Sequence, residues 1–195
     1  MNDIFNTINV YPPIQFLNSS KQGYVDRTIK NASADATIAV ASNFNTAGEK
    51  LTKNSVLKQS KLYIPISVKY DLRIVNPALI NLIVNEFNKH SIKTINIAGN
   101  GIYTFKGQYT QEDLNNFMYN LLGEIIHNKN LITPIEYIRS GGQTGIDEAG
   151  IKAALKLGVP AIVYAPKDWL FKDINGITHS NELFFKQRFY NELVS

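Results

Sequence analysis

Ile135-Glu136-Tyr137-Ile138-Arg139-Ser140-Gly141-Gly142-Gln143-Thr144-Gly145-Ile146-Asp147-Glu148 is the stretch on which the architecture turns. Its β-branched start reads as a strand over 135–138 and its glycine-rich middle as a turn. Gly145 to Leu157 then reads as a helix and Ala161-Ile162-Val163-Tyr164 as the next strand. Strand, tight turn, helix and strand make a unit in which the two strands run parallel, because a crossover helix is what returns the chain to the same end of a sheet.

The same alternation extends outward on both sides. Ala36-Thr37-Ile38-Ala39-Val40-Ala41 precedes a helical stretch from Thr46 to Gln59 with Leu51, Val56 and Leu57 on one stripe. Leu62-Tyr63-Ile64-Pro65-Ile66 precedes a helix from Pro77 to Lys89, where Leu79, Ile80, Ile83, Val84 and Phe87 recur at three- and four-residue steps and Pro77 suits the first turn. Thr94-Ile95-Asn96-Ile97-Ala98 runs into Gly99-Asn100-Gly101, and Thr110 with Asp113 opens a long helix in the manner of a capping box. A last helix is predicted from Asn181 to Leu193. These segments predict a Rossmann-like α/β fold: an open, mostly parallel, five-stranded sheet with helices on both faces. Residues 1–30, with Pro12-Pro13 and the turn-forming Asn18 to Gly23, are expected to wrap the edge without supplying a central strand.

Composition narrows the function. The 195 residues, 44% apolar and 18% charged, fit one globular domain spanning 1–195 and exclude disordered, collagen-like and coiled-coil classes. No run approaches the roughly 20 apolar residues of a membrane helix. Met1-Asn2-Asp3-Ile4-Phe5 has no basic segment followed by an apolar one, so a cytoplasmic protein without a membrane partner is expected. The absence of cysteine removes disulfides, thiolate zinc sites and cysteine nucleophiles, and three scattered histidines leave no basis for a metal site. Net charge is +4, from 20 basic and 16 acidic residues, the basic ones dispersed without forming a block; that charge suits an anionic small ligand as well as a nucleic acid, with nucleic acid the less expected partner. Self-association stays open.

In a parallel sheet ligands bind beyond the carboxyl ends of the strands, so the loops leaving the strands carry the candidates. The first is Ser140-Gly141-Gly142-Gln143-Thr144-Gly145. Glycines there admit positive φ and close ligand approach, above all at Gly142, and the helix that follows offers N–H groups and a positive dipole end suited to phosphate. Asp147, in the first turn of that helix, either complements the dipole or accepts ribose hydroxyls. The second loop, Ser42 to Gly48, holds Asn43, Asn45, Thr46 and Gly48, which either cap the helix or meet the donor and acceptor pattern of a purine or ribose. Gly99, Asn100 and Gly101 form the third, with Tyr103 near enough to stack on a base. Arg27 and Lys167 are the cations expected at its mouth. The glycine spacing is wrong for the dinucleotide fingerprint, and no Gly-Lys-Ser/Thr is present for a nucleoside triphosphate loop.

Residues 138–147, continued by Ala149, Ala153-Ala154 and Leu157-Gly158-Val159-Pro160, with Pro166-Lys167 beyond, resemble the putative molybdenum-cofactor carriers. These belong to the SLOG superfamily of Rossmann-like nucleotide-ligand binders, which also contains phosphoribohydrolases. Arg27-Thr28, Asn31, Ser33-Ala34-Asp35-Ala36-Thr37-Ile38 and Thr46-Ala47-Gly48 resemble the same family, but stand before the Gly-Gly-Gln-Thr-Gly unit where the carriers have them after it. The order implies a circular permutation of a type met in bacteriophage genomes. The resemblance implies a binder of a nucleotide-derived molecule, with no cofactor required. If the chain is viral, it would act in the host cytoplasm, sequestering a nucleotide immune signal. The alternatives are an enzyme cleaving an N-glycosidic bond, with Glu148 standing where the phosphoribohydrolases carry their glutamate, and a protein-interaction module with a vestigial pocket.

Overall fold

The computed structural model describes residues 12–68, 75–105 and 107–190. Its main sheet has six strands, β1 (Ile14–Asn18), β2 (Ala36–Ala41), β3 (Leu62–Ser67), β4 (Thr94–Gly99), β5 (Tyr137–Ser140) and β6 (Ala161–Ala165). They stand in the order β1-β6-β5-β4-β2-β3, and every pairing is parallel. The Rossmann-like arrangement is as expected, with one strand more than the five read from sequence. The sixth, β1, comes from the lead-in and, among the described residues, pairs with β6 on one side only. A marginal position tolerates the prolines before it and the weak apolar alternation that hid it.

The helices are α1 (Val25–Asn31), α2 (Ala47–Lys58), α3 (Pro77–His90), α4 (Gln111–Ile126), α5 (Ile146–Lys156) and α6 (Glu182–Gln187). Local chemistry sets their starts. Thr46 accepts from the Glu49 N–H, Asn76 from the Ala78 N–H beside Pro77 at the first position, and Thr110 with Asp113 closes the reciprocal box. The predicted strand 135–138 is displaced to Tyr137–Ser140, with Arg139 inside it. The predicted final helix stops at Gln187, where the chain turns so that Arg188 reaches the Glu148 carboxylate and donates to the Gly142 carbonyl. The end of that prediction, 191–193, lies outside the described residues. A hairpin not read from sequence, β7 (Leu170–Lys172) with β8 (Thr178–Ser180), follows the sheet.

Every residue of β2 is buried, as befits a parallel strand covered on both faces. After β2 the chain moves outward to β3, then returns across β2 to build β4, β5 and β6. Right-handed crossovers therefore put α2 on one face and α3, α4 and α5 on the other. The latter form a continuous layer whose buried Phe87, Leu114, Met118, Leu121 and Ile151 belong to the core, while α1 packs beside α2. The strand order reverses between β2 and β4, and that switch point fixes where a crevice must open. Among the described residues no helix is long and apolar enough to cross a membrane.

Candidate functional site

A cavity of about 530 Å³ opens at this switch point, within the 300–1,000 Å³ range of small-molecule sites. Its walls are α1 and the first turns of α2, and its floor includes Asn96 and Ala98 of β4. The start of α2 and the loops after β4 and β5 complete the lining. The three loops singled out in the sequence do converge: Gly48, Gly99, Gly101, Gly141, Gln143 and Thr144 all line it, together with Arg27 and Asp147.

Gly141 is the pivot of the far end. A β-carbon there would lie 2.6 Å from the Asp147 carboxylate and 2.7 Å from the Arg27 guanidinium, so only glycine lets these two opposite charges flank the chain. Arg27 is buried, donates through Nη1 to the Gly141 carbonyl at 3.1 Å, and lies 5.2 Å from the centroid of the Tyr24 ring at the rim. Burial raises the Asp147 carboxyl to about 6, against the pull of Arg27 and of backbone hydrogen bonds from Gln143, Gly99 and Gly141.

Several candidates serve the loops without lining the cavity. Asn100 is buried and works as a clasp. Its Oδ1 accepts from the backbone N–H groups of Ser42 and Asn43, both at 3.0 Å, and its Nδ2 donates to the Asn43 carbonyl and to Glu49 Oε1. Thr46 is the cap of α2, and the Asn43 side chain accepts from the Asn45 N–H in a local turn. Ser140 donates to the Ile97 carbonyl at 2.7 Å, tying β5 to β4. Lys167 lies in a helical turn after β6, apart from the lining residues.

The glycine-rich loop is occupied differently from a phosphate cradle. Gly145 donates its N–H to Gln111 Oε1 at 2.6 Å, Ile146 to the Asn100 carbonyl and Glu148 to the Gln143 carbonyl, so three N–H groups around the start of α5 already have protein acceptors. Gly142 has φ +71°, and a β-carbon on it would meet Val163 at 2.6 Å and Phe185 at 2.8 Å, so it faces the core. Glu148 is likewise turned away. It is buried in ion pairs with Lys152, at 2.9 Å, and with Arg188. Gln143 and Thr144 use their side chains to donate to the Leu170 and Lys172 carbonyls, which brings the β7–β8 hairpin and Lys172 to the mouth.

The residue that sequence reading missed is Glu49. Thr46-x-x-Glu49 spells a capping box, which would spend the carboxylate on the helix start. Here the clasp of Asn100 holds it instead, facing the cavity, and burial together with Asp147 pushes it up to about 7. Among the described residues, four buried side-chain atoms of cavity residues have no hydrogen-bond partner: Arg27 Nε, Asn31 Oδ1, Glu49 Oε2 and Asn96 Oδ1. Each such group costs about 1–3 kcal/mol when left unpaired.

A scan against protein-family models found no match, and a search of curated proteins found none. Among solved structures the chain is similar to the NADH-dependent butanol dehydrogenase A of Thermotoga maritima, with 12% identity and a TM-score of 0.39 over 78% of this chain. The match spans 43% of the dehydrogenase chain, so this chain corresponds to less than half of that enzyme's length.

Proposed function

We propose that this protein is a receptor for a nucleotide-derived small molecule, held without covalent change in the cavity between α1, α2 and the strand ends. The observation that carries the reading is the set of orphaned polar atoms on Arg27, Asn31, Glu49 and Asn96 around one 530 Å³ space at the switch point of a parallel sheet. Tyr24 and Tyr103, both at the rim and both partly exposed, offer faces on which a base can stack. In a phage, such a receptor would sequester a nucleotide signal of the host; support for that step is the sequence resemblance.

One observation favours a second reading, cleavage of the N-glycosidic bond of the same class of molecule: two carboxylates, Glu49 and Asp147, share the cavity. Glu148, buried in its ion pairs, is not placed to take that part. The test is to release small molecules from the purified protein by heat and identify them by mass spectrometry, then incubate fresh protein with nucleoside monophosphates and with NAD. Intact nucleotide recovered from a tight complex supports the receptor. Free base released by wild type and abolished in Glu49→Gln and Asp147→Asn would replace it with the hydrolase. Neither result, with no nucleotide bound at all, would sink both.

A further inference from the structure

The cavity is uneven in what it offers. Glu49, 5% exposed, comes from the first turn of α2, Asp147 from the first turn of α5 and Gly99 from the end of β4, and all three line the cavity. Glu49 Oε1 is taken by Asn100 at 3.1 Å, while Oε2 has no donor among the described residues. Asn96, 2% exposed, donates its Nδ2 to Thr37 and leaves Oδ1 unmatched on the floor. This part of the cavity therefore asks for donors.

The charges narrow which donors fit. A phosphate brought beside Glu49 and Asp147 would meet two like charges. An ammonium or guanidinium would meet Arg27, which flanks the same glycine as Asp147. A pair of adjacent hydroxyls carries no charge, donates to both carboxylates, and offers its own oxygens to Arg27 N–H groups.

Resting on the receptor reading, we propose that Glu49 and Asp147 together receive the vicinal hydroxyls of the ligand's ribose, and that Glu49 distinguishes ribose from deoxyribose. Asn100 is then a positioning residue, fixing the rotamer in which Glu49 Oε2 faces the sugar. The phosphates of the same molecule lie away from this pair, toward Lys172 at the mouth.

The experiment is calorimetric titration of the full chain with AMP, ADP-ribose, 2′-deoxy-AMP and 3′-deoxy-AMP, repeated on Glu49→Gln and Asp147→Asn after circular dichroism has verified their fold. A lost hydrogen bond to a charged acceptor corresponds to roughly ten- to a hundredfold in affinity. Wild type should prefer the ribonucleotide over both deoxy forms by that factor. In Glu49→Gln the preference should fall to about threefold or less, with the affinity for 2′-deoxy-AMP little changed, a pattern that a general loosening of the site would not produce. Equal binding of AMP and its deoxy forms by wild type overturns the diol subsite and leaves the nucleotide receptor standing. A preference that survives in Glu49→Gln removes Glu49 as the discriminator. No binding of any of the four probes overturns both the subsite and the receptor reading.

Discussion

Replacing Glu49 with glutamine is expected to stabilise the unliganded protein at neutral and alkaline pH while weakening its grip on ligand. The unfolded carboxyl ionises near its ordinary value of 4.5, whereas burial and Asp147 hold the folded one at about 7. The folded value is the higher, so the protonated side chain contributes stability fully below pH 4.5, and this is lost progressively as pH rises to about 7. A displacement from 4.5 to about 7, at about 1.4 kcal/mol per tenfold change, amounts to about 3 kcal/mol. Glutamine keeps the acceptor for Asn100 and has no charge to bury. The stability of Glu49→Gln relative to wild type should therefore be near zero at pH 4, open between pH 4.5 and 7, and reach about 3 kcal/mol at pH 8. At roughly 2–4 °C per kcal/mol for a chain of this size, that is a rise in Tm of about 6–12 °C. Thermal unfolding followed by circular dichroism from pH 4 to 8 measures it. A difference that does not change with pH, or a variant less stable than wild type at pH 8, would refute the view that the site holds an ionisable carboxylate at a cost in stability. A gain in stability coupled to a loss of binding is the pattern of a functional site that keeps groups exposed to strain for a ligand's sake.

Three further outcomes follow from the packing around the site. Gly142→Ala should destabilise by about 2 kcal/mol or more in urea unfolding, because φ +71° disfavours a side chain and the new β-carbon would press on Val163 and Phe185. Arg188→Ala should cost about 3–5 kcal/mol by chemical denaturation, since it breaks the buried pair with Glu148 and strips the Gly142 carbonyl of its donor, yet ligand affinity at a temperature where the variant is folded should stay within about twofold. Asn100→Ala should speed hydrogen exchange at the amides of Ser42 and Asn43, which lose their acceptor, while leaving the amides of α4 protected, and should weaken ligand binding by freeing Glu49. Uniform exchange across the molecule would instead mean that Asn100 holds up the whole fold.

The alternation of apolar strands with amphipathic helices was enough to determine a parallel α/β sheet, and the topology rule was enough to bring the loops after β2, β4 and β5 to one crevice, because both depend on periodicity and chain connectivity, which are local. Capping residues such as Thr46 and Thr110 were equally readable, since a cap acts within a few residues of itself. Which polar side chains the crevice uses was decided by tertiary structure. Gly142 and Glu148 sit in a loop and helix that point to ligand by pattern, but Val163, Phe185 and Arg188, distant in sequence, claim them for the core. Glu49 has the spacing of a capping residue, and only Asn100, arriving from the end of β4, holds it toward the cavity. Burial and charge pairing are sums over neighbours that the chain brings together at long range, so whether a carboxylate is spent or left free cannot be written in the few residues on either side of it.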